Sequence, residues 1–120
     1  MGLDARLKLI TPEEYERLKA DVENYEGWFG EGYMRSCRSL NDWVVNQNPA
    51  PDEGDMILNV VGGVILVMFD VRKTIQDMFD AVLQSKKDSE VLKFLKAITE
   101  AIEMSYEDLH DSYLVYEADW

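Results

Sequence analysis

Carboxylates are the residues of this sequence whose spacing most clearly suggests a chemical role. The twenty-one residues from Glu100 to Trp120 contain seven carboxylates and no lysine or arginine. Four of them are separated by three, four and four residues: Glu100, Glu103, Glu107 and Asp111. This spacing predicts one face of an amphipathic helix. Like charges at i,i+4 each cost roughly 0.2–0.5 kcal/mol, and anionic groups oppose the dipole at a helix C-terminus, so this charge does not favour folding.

Such a face can imitate the backbone of a nucleic acid. Carboxylates three or four residues apart on a helix lie about 4.5–6 Å apart along its axis, which is near the spacing of successive phosphates on one strand. A second acidic set near the N-terminus is diluted only by Arg17 and Lys19: Glu13, Glu14, Glu16, Asp21, Glu23, Glu26 and Glu31. The predicted partner-binding residues are Glu100, Glu103, Glu107, Asp108 and Asp111, with Glu13, Glu16 and Glu23 secondary. The alternative is a solvated helix face.

The overall charge restricts the class of partner. The chain has 120 residues, with 24 acidic against 12 basic side chains and a net charge of −12. Direct nucleic-acid binding and anionic membrane surfaces are disfavoured, because both need a basic surface. A basic partner protein is favoured, with electrostatic steering that weakens as salt rises. The length and the 47% hydrophobic content predict one globular domain over residues 1–120.

Two features predict a cytoplasmic protein without a membrane span. The single cysteine, Cys37, cannot form an internal disulfide, which suits a reducing compartment. The longest apolar run, residues 56–69, is interrupted by Asn59 and Gly62-Gly63, and it is too short to cross a bilayer.

Catalytic and metal-binding patterns are scarce. His110 lies beside the carboxylate face; a general base or metal ligand is conceivable there, but a solvated histidine is favoured. Cys37 lies among apolar residues and is predicted to be part of the core. The segment 52–55 (Asp-Glu-Gly-Asp) lacks the EF-hand spacing, and the glycine pairs do not fit a phosphate-binding loop. We therefore expect no enzyme activity, no cofactor and no metal site.

The apolar periodicity predicts mainly helices. Alternation over residues 3–10 predicts one short strand, and Thr11, Pro12 and Glu14 predict a capped helix start after it. Three more helices are predicted, over residues 32–47, 64–83 and 90–116. A break near Met104-Ser105 is an alternative for the last helix, and residues 55–61 fit either a strand or the lead-in to a helix. The predicted fold class is mainly α, a compact domain of about four helices, with a small strand pair (α+β) as the alternative.

Three patches resemble a family of small phage and prophage proteins. The chain opens with Met1-Gly2-Leu3-Asp4, as members of that family do. Residues 32–45 resemble the family helix Gly-Tyr-Trp-Arg-Lys-Ala-Asn-x-Ile-His-x-Trp-Phe-Val, keeping Tyr33, Arg35 and Trp43. Residues 106–109 (Tyr-Glu-Asp-Leu) resemble a Tyr-x-Glu-Asp-Leu stretch near the C-terminus of members. The resemblance implies a phage-associated accessory protein, and it implies no established activity.

These observations together predict a binding protein. We expect a phage-type accessory or inhibitor protein, comparable to an anti-CRISPR, that acts in the host cytoplasm. Its acidic surface would mimic nucleic acid and bind a basic host protein, such as a nuclease or CRISPR effector. The alternative is a structural or self-associating helical protein whose acidity serves solubility.

Overall fold

The computed structural model describes residues 3–20, 32–49, 54–60, 62–103 and 111–120. Within these ranges the chain forms five strands and four helices. In chain order they are β1 (Asp4–Ile10), α1 (Pro12–Ala20), β2 (Tyr33–Arg35), α2 (Arg38–Val45), β3 (Met56–Val60), β4 (Gly63–Met68), α3 (Val71–Gln84), α4 (Asp88–Glu103) and β5 (Tyr113–Asp119).

The five strands form one antiparallel sheet in the order β2-β1-β5-β4-β3. The central strand, β5, pairs along its whole length with β1, from Asp4 opposite Asp119 to Ile10 opposite Tyr113. Its other side pairs with β4, where Met68 lies opposite Leu114. The last strand of the described chain therefore joins the first strand to the β3–β4 hairpin.

One face of the sheet packs against α2, α3 and α4. Alternate residues of β1 and β5 point to this face, since side chains along a strand alternate in direction. They are fully or nearly buried together with residues of the three helices: Leu7, Leu9, Leu114, Tyr116, Leu40, Val44, Met78, Val82, Phe94 and Ala97. The close approach of α4 requires a glycine at position 32, which has φ +68°; a Cβ there would collide with the Leu7 carbonyl oxygen and lie 3.0 Å from that of Ala97.

The opposite face of the sheet is divided into an apolar half and a charged half. Helix α1 covers the apolar half with Tyr15 and Leu18, which pack with residues of the sheet: Ile10, Ile65, Val67 and Val115. The charged half lies on β2, β1 and the end of β5, and its residues are half-buried or exposed: Asp4, Arg6, Tyr33, Arg35, Glu117 and Asp119.

The prediction of a mainly α fold is wrong, because a five-stranded antiparallel sheet forms the centre of the molecule. Two segments predicted as helix are strands. Gly63–Met68 forms β4, whose residues are buried on both faces of the sheet, so it shows no alternation of apolar and polar residues. Tyr113–Asp119 forms β5, so the last helix does not continue to residue 116. The predicted second helix is shorter than expected, since Tyr33–Arg35 is a strand.

The prediction of a strand over residues 3–10 followed by a capped helix start is confirmed. The strand β1 is followed by a capping box, in which the Glu14 amide donates to Thr11 Oγ1 at 3.2 Å and the Thr11 amide donates to Glu14 Oε1 at 3.4 Å. The predicted burial of Cys37 is also confirmed. At these positions the local sequence patterns are strong, and the packing of the folded protein favours the same structure.

A carboxylate from α4 caps the start of α2. Glu90 is buried, and its Oε1 accepts from the backbone amide of Ser39 at 3.0 Å and from the Ser39 hydroxyl at 3.3 Å. Cys37, at the N-cap position of α2, supplies no side-chain cap. The other oxygen of Glu90 lies 3.6 Å from Lys87 Nζ. This contact fastens two helices at the end of the sheet where β1 begins.

Replacing Glu90 should destabilise the protein more than replacing its ion-pair partner. We expect Glu90→Ala to lower the free energy of unfolding by about 1–3 kcal/mol, because it leaves an α2 amide without its acceptor in a buried place. Lys87→Ala should cost less than about 1 kcal/mol, since Lys87 is exposed. Urea unfolding followed by circular dichroism measures both. Equal losses for the two variants would show that the charge pair, rather than the cap, matters.

Candidate functional site: an acidic end of the sheet

Four chain connections meet at one end of the sheet. The register places Ile10 at the end of β1 opposite Tyr113 at the start of β5. The end of β4, at Met68, lies opposite Leu114, and the start of β3, at Met56, lies opposite Val67. The segments that leave or enter these positions therefore lie at the same edge of the molecule.

Helix α4 runs beside β1 in the same direction and ends at this edge. Its first turn contacts Ser39, close to where the Ser36 amide donates to the Leu3 carbonyl at 2.7 Å, at the opposite end of β1. Ala97 lies at the same height along the sheet as Leu7, because the backbone carbonyl oxygens of both residues lie next to Gly32. From there α4 rises about 9 Å to its last residue and β1 rises about 10 Å to its own end.

Five exposed carboxylates come together at this edge. Glu13 and Glu16 lie in α1, which follows β1, and Asp70 follows β4. Glu103 is the last residue of α4, and Asp111 precedes β5. We call this set the acidic end. Five cations lie near this edge, and two of them pair with carboxylates outside the set: Lys8 Nζ lies 3.9 Å from Glu14 and Lys73 Nζ lies 3.5 Å from Asp77. The other three are Arg17 and Arg72, which are exposed, and Lys19, which lies over the Tyr15 ring at 6.0 Å. The acidic end therefore keeps a surplus of negative charge.

Aromatic rings lie among these carboxylates. Tyr15 of α1 stacks on Tyr113 of β5 with ring centroids 4.3 Å apart, and Phe69 meets Tyr113 edge-on at 5.3 Å. Phe69 is 46% exposed, so the cluster reaches the surface. Burial raises the pKa of Tyr15 and of Tyr113, and the nearby carboxylates of Glu16 and Asp55 raise both further. Both phenols therefore stay neutral when the carboxylates are charged.

Asp55 has a structural role beside this cluster. It is buried, and its Oδ1 accepts from the backbone amide of Phe69 at 2.6 Å. This bond ties the start of β3 to the residue that follows β4. Gly54, with φ +86°, precedes it, and a Cβ there would lie 3.0 Å from the Tyr113 ring. The segment 52–55 lacks the EF-hand spacing, and its first two residues lie outside the described ranges.

The predicted partner-binding residues are only partly brought together by the structure. Glu103, Asp111, Glu13 and Glu16 lie at the acidic end, and Glu100 is half-buried one turn earlier in α4. Glu107, Asp108 and Glu23 lie outside the described residues. The predicted helix over residues 90–116 is wrong in its last part, because Tyr113–Asp119 is a strand. Residues 104–110, which would join Glu103 to Asp111 along the predicted ridge, lie outside the described residues. Glu13 and Glu16 also belong to a helix on the opposite face of the sheet from α4.

The other candidates for chemistry give no site among the described residues. Burial raises the pKa of the Cys37 thiol, whose Sγ lies 3.9 Å from the Glu90 carbonyl oxygen. His110 lies outside the described ranges. No group of three or more metal-ligating side chains occurs within the described ranges. The helices in those ranges all lack the length and apolar character needed to span a membrane.

A charged cluster on the open half of the sheet was not predicted from the sequence. Arg6 lies opposite Glu117 in the β1–β5 register and 5.5 Å from the Tyr33 ring centroid, and the Tyr33 hydroxyl donates to Asp4 Oδ1 at 2.6 Å. One oxygen of Glu117 is buried and has no hydrogen-bond partner among the described residues. Burial, and to a smaller extent the negative charge of Asp119, raise the pKa of Glu117 to about 7, with Arg6 opposing the shift. Pairing register, rather than sequence spacing, creates this cluster.

No protein-family model, curated protein or solved structure matches this chain. The resemblance to phage and prophage proteins stays a prediction.

The raised pKa of Glu117 predicts a specific pH dependence of stability. Between about 4.5 and about 7, the folded protein retains a proton that the unfolded chain has released, so this contribution is present at low pH and is lost as pH rises toward 7. We expect the stability of Glu117→Gln relative to wild type to rise by about 1–2 kcal/mol between about pH 5 and pH 8, allowing for partial exposure.

Urea unfolding of both proteins at the two pH values measures this difference. Glu103→Gln is the matched control, since Glu103 is exposed. A stability difference between Glu117→Gln and wild type that does not change with pH would contradict the assignment.

Proposed function

We propose that this protein binds a basic, nucleic-acid-binding protein through its acidic end. The observation that supports the proposal most strongly is the convergence of exposed carboxylates from separate connections at one edge of the sheet. Clustered like charge destabilises a fold by self-repulsion, and it also steers a basic partner toward the cluster. Four parts of the backbone place the carboxylates at the acidic end: α1, the residue after β4, the end of α4 and the residues before β5.

The aromatic cluster suits a partner rich in arginine or lysine. Guanidinium and ammonium groups bind over the faces of aromatic rings, and this attraction is worth about 0.5–1 kcal/mol at exposed sites. The exposed ring of Phe69 meets Tyr113 edge-on, and Asp70 is the next residue in the chain. Lys19 already occupies a position over Tyr15 within the molecule. A cationic side chain of the partner would find both charge and ring surface here.

The biological setting we propose is inhibition in a bacterial host. A cleft that binds nucleic acid is lined with Lys and Arg, so a compact acidic protein can occupy it in place of the phosphate backbone. The resemblance to phage and prophage proteins supports a phage-type inhibitor acting in the host cytoplasm. A nuclease or a CRISPR effector has the basic surface that this mechanism needs. No step of the proposal requires a metal, a cofactor or catalysis.

Charge reversal at the acidic end should abolish partner binding. We expect the triple change Glu13→Lys, Glu16→Lys and Asp111→Lys to lower capture of DNA-binding proteins from a bacterial lysate by about tenfold or more at low salt. Wild-type capture should fall steeply between about 50 and 500 mM salt, because the attraction is screened. A captured partner should release labelled DNA when the wild-type protein is added.

The matched control reverses three exposed carboxylates away from this edge: Asp80, Asp88 and Asp119. Both triple variants change the net charge equally, and each alters one carboxylate in the first turn of a helix, Glu13 or Asp88. Circular dichroism verifies that both remain folded. Equal loss of capture in the two variants would mean that net charge alone attracts the partner, and unchanged capture in the first would remove the acidic end from the interface.

A further inference from the structure

Helix α4 carries an apolar stripe on its outer face. Phe94, Ala97 and Ala101 are buried on its inner side. On the outer side, Leu92 is 67% exposed, Leu95 41% and Ile102 40%. With the exposed Thr99, these residues are spaced by three, four and three positions, which is the a/d pattern of a coiled-coil seam. The core of the protein does not account for apolar residues at these positions.

The charges beside the stripe change sign along the helix. Lys93 and Lys96 lie in the first part of the row, and Glu100 and Glu103 lie in the second. None of the ion pairs found among the described residues uses any of these four side chains. All four lie on one flank of the stripe, and in a parallel pair this flank would face the uncharged flank of the partner helix, which holds Val91 and Ile98. An antiparallel pair would place the lysines of one helix beside the glutamates of the other.

From this self-complementarity we infer that α4 pairs antiparallel with α4 of a second copy of the chain. A two-fold axis near the middle of the helix satisfies both features, because an isologous interface places the same patch on both sides. Leu92 of one copy then lies beside Ile102 of the other, and Leu95 beside Thr99. Lys96 faces the glutamate pair across the seam.

The geometry sets the strength and form of this dimer. One pair of helices of this length buries less surface than the roughly 1,200–2,000 Å² of a stable interface, so dissociation in the micromolar range is expected. Each copy carries a net charge of −12, and their repulsion is screened at about 0.15 M salt. The antiparallel arrangement directs the two acidic ends away from each other. The inference does not depend on the proposed function.

Sedimentation of the whole chain at about 10–200 µM tests the seam. We expect a concentration-dependent dimer for wild type and a monomer for Leu92→Glu/Leu95→Glu, with a dissociation constant raised by about tenfold or more. Trp120→Glu is the control, since Trp120 is 51% exposed but follows β5, and its amide bonds to Gly62 on the hairpin side of the sheet. Trp120→Glu should dimerise like wild type.

Charge exchange tests the orientation without changing the stripe. Lys93→Glu/Lys96→Glu gives an all-acidic row and should weaken the dimer by about tenfold. Adding Glu100→Lys/Glu103→Lys to this variant exchanges the positive and negative halves of the row and should restore dimer formation. A wild-type protein that stays monomeric at the highest concentration, or a dimer unaffected by both double variants, would overturn the inference. The acidic-end variant Glu13→Lys/Glu16→Lys/Asp111→Lys should dimerise normally, which separates this result from failure of the proposed function.

Discussion

The antiparallel pairing of β1 with β5 is the constraint on which the rest of the structure depends. It joins the first and last strands of the described chain along seven residue pairs, from Asp4–Asp119 to Ile10–Tyr113. Each strand then supplies one set of side chains to the helical layer and another to the α1 side of the sheet. Without this pairing, the β3–β4 hairpin would have no link to β1, and the connections at the acidic end would not meet.

The sequence predicted the parts of the fold that local interactions decide. Strand β1, the capping box at Thr11 and the burial of Cys37 each follow from a short pattern that tertiary packing does not oppose. The strands β4 and β5 were missed for a physical reason. Buried on both faces, β4 is a continuous apolar run, and such a run fits a buried helix as well as a central strand. Contacts that join distant elements, such as Glu90 capping α2, have no local signal at all.

In the candidate site, too, local sequence patterns predicted some features and contacts between distant elements determined the others. Composition correctly identified a surplus of carboxylates, but the helix over residues 90–116 on which their spacing was interpreted is replaced by β5 from Tyr113 onward. Their convergence results from strand order and register, since the residues come from separate connections on both faces of the sheet. The cluster around Glu117 was missed for the same reason, because Arg6 and Glu117 are neighbours only through the β1–β5 register. Side-chain types were therefore predictable, and their arrangement was not.

The central claim is that one edge of this protein is built to receive cationic groups. Titrating the isotope-labelled protein with a short oligo-arginine peptide and following backbone amide shifts by NMR tests it most directly. We expect the largest shifts to fall on Glu13, Phe69, Asp70, Glu103 and Asp111, with saturation at low salt. Shifts of similar size at Asp80, Asp88 and Asp119 would contradict it, because the peptide would then be responding to net charge rather than to the acidic end.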